Sequence, residues 1–88
     1  MKISEKKREK ILEQILSFLY QSNPKPLFTS QIAQEIARDE EFVKFLLLGL
    51  KEKKLVTEIK KNPKGNQYLR RSRWVISDIA YQTYKNHQ

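Results

Sequence analysis

Eighty-eight residues with two glycines, three prolines, no cysteine and a formal net charge of +8 set narrow limits on this chain. That length supports one small core, which buries about 60 to 65% of the surface the unfolded chain exposes and leaves little room for a deep substrate cleft. Without cysteine, neither a disulfide frame nor a thiolate-held zinc supplements the core, and one histidine makes no metal-ligand set.

Ile11, Leu12, Ile15, Leu16 and Leu19 recur at spacings of three and four, which predicts an amphipathic helix over residues 4–22 with Ser4 as its N-cap. Lys6, Lys7, Arg8 and Lys10 alternate with Glu5, Glu9 and Glu13 on its polar side. Asn23-Pro24-Lys25-Pro26 stops it, because proline lacks an amide proton and drives the preceding residue out of the α region. Leu27 and Phe28 suit a very short extended piece. Thr29 or Ser30 offers the N-cap of a second helix at 30–37, whose narrow apolar stripe is Ile32, Ala33 and Ile36. After a break at Arg38-Asp39, a third helix is predicted at 40–53. Small side chains at Ala33 and Ala37 let the two helices approach closely, so short helix, tight turn and longer helix form a helix-turn-helix pattern.

Beyond Lys54 the spacing changes from helical to alternating. β-Branched and aromatic residues predict strands at 55–61 and 67–76, joined through Pro63 and Gly65 as a hairpin. Lys60, Lys61, Lys64, Arg70, Arg71 and Arg73 face the single acid Glu58, so residues 58–73 carry +5 of the net +8. Lysines also blunt a strand edge against unwanted pairing, but a surface serving solubility alone mixes its signs. A hairpin of one sign is built to touch an anion, and a phosphate backbone is the anion that suits it here. On a strand, Arg71 and Arg73 share one face and Arg70 points to the other. Ser77-Asp78 then caps a last helix at 78–85 that carries Ile79, Ala80 and Tyr84. Trp74 is expected in the core at the root of the hairpin, Tyr81 and Tyr84 against the first helix, and Tyr68 near the tip, where stacking on a base remains open.

The order helix, helix, helix, strand, strand, helix resembles a winged helix-turn-helix domain over nearly the whole chain. Leu50-Lys51-Glu52-Lys53-Lys54-Leu55-Val56 resembles that superfamily's exit from the recognition helix, with Lys54 where glycine is usual. Arg73-Trp74-Val75-Ile76-Ser77 resembles the wing's second strand running into a closing helix, with Ile76 in the core and Ser77 as cap. The resemblance implies an α+β, mostly helical fold with a two-stranded basic wing, spanning residues 1–88 as one domain. It covers DNA regulators, RNA-associated modules and protein-interaction modules.

On a wheel of 100° per residue, Val43, Leu46, Leu47 and Leu50 share one side of the third helix, as a buried face should. Glu41, Lys44, Phe45, Leu48 and Glu52 fall opposite, where a groove-reading helix ordinarily carries Arg, Lys, Asn, Gln or Ser. Two readings of Phe45 and Leu48 stand open. Either the apolar arc is wide, with Phe42, Phe45 and Leu46 under the first helix and Leu48 exposed, or Phe45 and Leu48 form an interface covered by a second subunit or another protein.

These features lead to an expected nucleic-acid-binding protein, a small DNA-binding transcriptional regulator acting as a dimer. Lys60, Lys61, Lys64, Arg70, Arg71 and Arg73 are its candidate phosphate contacts, and Lys44 and Gln31 its candidate donors to bases. Duplex DNA is the expected partner. A protein-interaction module working through the third helix, or an RNA or ribonucleoprotein-binding module, is the alternative. No apolar run approaches the roughly 20 residues that span a bilayer, and residues 2–10 lack the pattern of a secretory signal, so an intracellular, cytoplasmic location is expected. No catalytic constellation, cofactor motif or small-molecule site is visible; Gly49 and Gly65 make no phosphate-cradling loop.

Overall fold

A computed structural model describes residues 5–60 and 72–86. In chain order it contains α1 (Glu5–Ser22), β1 (Leu27–Phe28), α2 (Thr29–Ile36), α3 (Glu40–Glu52), β2 (Val56–Ile59), β3 (Arg73–Ile76) and α4 (Asp78–Asn86). The three strands form one antiparallel sheet in the order β1-β3-β2. Leu27 lies opposite Trp74 and Phe28 opposite Arg73 on one side of β3, while Val56 faces Ile76 and Ile59 faces Arg73 on the other. The short extended piece expected at Leu27 and Phe28 is therefore a true edge strand, and β3 is central.

The core gathers Ile11, Ile15 and Leu19 of α1, Leu27 of β1, Ile32 and Ala33 of α2, and Val43, Leu46, Leu47 and Leu50 of α3. Val56, Trp74, Ile76 and Ala80 complete it from the sheet and α4. Its amphipathic helices bury the stripes their spacing predicts. Trp74 has no exposed surface, and its indole Nε1–H donates to the Thr29 hydroxyl at 2.8 Å. Tyr81 and Tyr84 place their ring centroids 5.1 and 5.5 Å from that of Tyr20, so aromatic contacts fasten α4 to α1.

Several predicted boundaries shift. The helix expected at 30–37 spans Thr29–Ile36, and neither Thr29 nor Ser30 is its cap. Thr29 turns its hydroxyl inward to Trp74, while the Gln31 side chain accepts the Phe28 amide at 2.8 Å and closes the helix start. The helix expected at 40–53 ends at Glu52, with Lys53 in the C-cap position. Strands expected at 55–61 and 67–76 are Val56–Ile59 and Arg73–Ile76 where they are described. The last helix runs one residue past 85, to Asn86, and Ile79 points outward with 69% of its surface exposed. Ser77 is the cap that the sequence suggests, accepting the Ala80 amide at 3.2 Å.

Both helices of the helix-turn-helix close in the same way. Ala37 (φ 55°) and Lys54 (φ 62°) take the left-handed conformation. The next amide then reaches back five residues, Arg38 N–H to the Ala33 carbonyl at 3.0 Å and Leu55 N–H to the Leu50 carbonyl at 2.9 Å. Lys54 thus stands where glycine is usual in the winged-helix pattern, in the left-handed conformation that makes glycine the usual choice there.

Candidate nucleic-acid interface

The turn after α2 sets the angle at which α3 leaves the core. Asp39 then caps α3, its carboxylate accepting the Phe42 amide at 3.2 Å, and Glu40 and Glu41 follow in the first turn. Those acids complement the helix N-terminus, which carries partial positive charge. Val43, Leu46, Leu47 and Leu50 are buried, so the opposite side of α3 is fixed toward solvent. That side presents Glu41, Lys44, Phe45, Leu48 and Glu52, all exposed. Phe45 is 63% exposed and Leu48 41%. Phe45 does not join a wide buried arc; only Phe42 packs partly against the core. The reason lies in the wheel: the four buried positions already fill the contact with α2 and β2, and Phe45 sits almost opposite them.

Gln31 stands at the start of α2 with its carbonyl oxygen engaged by the Phe28 amide, which leaves its amide protons as its remaining donors. Lys44 is exposed on the outward face of α3. Arg73 is half-buried in β3, its guanidinium carbon 5.8 Å from the centre of the Phe28 ring, a cation–π contact that makes it part of the wing's root. Lys60 is exposed beyond the end of β2. Lys61, Lys64, Arg70 and Arg71, together with Tyr68 and the expected hairpin tip, lie outside the described residues.

One arrangement at the wing's root escapes a reading based on spacing alone. Glu58 has a side chain only 5% exposed, and it accepts a hydrogen bond from Lys51 Nζ at 2.8 Å and another from the Ser72 hydroxyl. Lys60 Nζ lies 3.8 Å from the same carboxylate oxygen. Burial disfavours the charge, but the Lys51 and Ser72 hydrogen bonds and the positive charge of Lys51 and Lys60 outweigh it and hold the carboxyl below its ordinary pKa. One acid thus ties the end of α3 to β2 and to the residue entering β3. The signal was present in the sequence as the lone acid of a basic stretch. What spacing does not supply is that Lys51, seven residues earlier and on a helix, reaches it.

No protein-family model matches the chain. No curated protein matches it by sequence. Among solved structures it resembles a MepR variant from a multidrug resistant S. aureus clinical isolate, with a TM-score of 0.71 and 21% identity over 88% of this chain and 53% of that one. It also resembles S. aureus MepR in complex with DNA, with a TM-score of 0.68 and 22% identity over 94% of this chain and 71% of that one. A Lactococcus lactis ZitR variant in apo form gives a TM-score of 0.64 and 17% identity over 93% and 59%. The chain spans about half the length of the first of these. At these identities the likeness establishes the fold, a winged helix-turn-helix in which α2 and α3 form the helix pair and β2 and β3 the root of the wing.

Proposed function

We propose that this chain is a small DNA-binding regulator of transcription, a binding protein and not an enzyme, that acts inside the cell as a dimer on duplex DNA. The observation that carries this reading is the winged-helix fold combined with the net charge of +8, concentrated on the wing; the same fold has been solved in S. aureus MepR bound to DNA. In this reading Lys60, Lys61, Lys64, Arg70 and Arg71 contact phosphates, giving affinity and register with little sequence information. Arg73 supports the wing through Phe28 and adds charge beside it. Lys44 and the amide protons of Gln31 are the donors offered to base edges, a thin set. Specificity per subunit is accordingly modest, about 10- to 100-fold over random duplex, rising when a dimer doubles the contacts on a two-fold site.

The test is a titration against duplex DNA, duplex RNA and single strands at two salt concentrations. Preference for duplex DNA with a steep salt dependence is expected. Equal binding to duplex RNA would replace the reading with an RNA-binding one.

The exposure of Phe45 and Leu48 favours a second reading, in which α3 meets a protein. Under it, Leu48→Glu converts a dimer to a soluble monomer in sedimentation with little loss of thermal stability. A monomeric wild type removes the homodimer version.

A further inference from the structure

The outward face of α3 carries a patch that the core does not need. Val43, Leu46, Leu47 and Leu50 each retain 2% or less of their exposure and complete the buried side of the helix. Phe45 and Leu48, one turn apart, stand on the other side at 63% and 41% exposure. They adjoin Lys44, and Lys51 follows one turn later, its ammonium bound to Glu58. Gly49 comes one turn after Phe45 on the same helix, and a Cβ built there meets no atom within 4 Å. The face is therefore two apolar side chains beside an unfilled notch, flanked by Glu41, Lys44 and Glu52, on a chain of net charge +8.

Building on the DNA-binding reading, we propose that Phe45 and Leu48 read the C5-methyl groups of thymine in the major groove. The groove is about 12 Å wide and admits a helix, and the thymine methyl is the one apolar group that the four bases display along its floor. The net charge of +8 draws the chain as a whole to a polyanion, while on the face itself Lys44 stands between the acids Glu41 and Glu52. Hydrogen-bonding side chains are scarce on this face, so the selectivity it exerts comes from methyl burial. The notch at Gly49 lets the edge of the groove come close to the helix backbone. The target class is duplex with adjacent A·T pairs under α3.

The full chain is titrated at fixed salt against a short alternating dA-dT duplex and the same duplex with deoxyuridine for thymidine. A dG-dC duplex and its 5-methylcytosine counterpart, which restores a methyl at the equivalent groove position, complete the set. Each contacted methyl is expected to contribute about fourfold in affinity, the value of one buried carbon, so loss of two weakens binding roughly 15-fold. Methylation of cytosine should strengthen binding to the dG-dC duplex. The double variant Phe45→Ala, Leu48→Ala, with an unchanged melting temperature, should bind the thymidine and deoxyuridine duplexes equally. Equal binding of those two duplexes by the wild type would overturn the inference, as would discrimination that survives in the double variant. Conversion of a dimer to a monomer by the double variant, with duplex preference intact, would overturn it too and assign the face to a second copy. Failure to bind any duplex is a different result and removes the DNA-binding reading itself.

Discussion

Thr29→Val deletes the oxygen that accepts the Trp74 indole proton, in a place where the tryptophan has no exposed surface. A buried donor left without a partner costs about 1 to 3 kcal/mol, so the variant should show a lower denaturant midpoint, and Trp74→Phe should cost less in that background than in the wild type. The burial of Trp74 was legible, because an aromatic residue two before Ile76 in an alternating strand shares its inward face. Its partner was not, since a threonine before an apolar helical stripe reads as an N-cap, and only the packed sheet shows the hydroxyl turned inward. Lys54 offers the opposite case. The left-handed conformation costs a residue with a Cβ roughly 1 to 2 kcal/mol, of which glycine's extra chain entropy returns part. Lys54→Gly is therefore expected to stabilise the fold by up to about 1 kcal/mol, measured by thermal melting.

At the scale of elements, α3 and the wing are joined through Glu58. Its folded pKa lies below the ordinary 4.5, so the stability it contributes is fully present above pH 4.5 and is lost as the pH falls through the lowered value. Glu58→Gln should cost about 1 kcal/mol at neutral pH, a figure kept small because Lys51 is half exposed, and the gap to wild type should close on acidification below pH 4.5. A gap independent of pH would mean that the carboxylate's charge does not matter to the fold. Within α3, Gly49 occupies a helical interior position with open space around it. Gly49→Ala is expected to raise stability by up to about 1 kcal/mol, visible as a higher melting temperature. The helices were readable because their apolar spacing is intrinsic to each segment. Strand limits were less so: the pairing of β3 with both neighbours ends where the partners end, and a two-residue β1 leaves almost no pattern to detect.

For the molecule as a whole, the sign of the charge was legible from composition, while its division between contact and scaffold was not. Arg73 looks in sequence like its neighbours Arg70 and Arg71, yet its register opposite Phe28 sets it against an aromatic ring. With three to five phosphate contacts per subunit, log K should fall against log salt with a slope of about −3 to −4.5, and Arg70→Ala with Arg71→Ala should remove about 1.8 of it. An unchanged slope would move the phosphate contacts off the wing. The sheet order adds a consequence in time. Because β3 lies between β1 and β2, its two neighbours cannot pair with one another, and both wait for a segment more than forty residues downstream of Leu27. Closing such a long loop precedes any reward from the contacts it makes. During synthesis, α1 to α3 emerge first with their hydrophobic seam open, and the fold locks only after Trp74 has left the ribosome and reached Thr29.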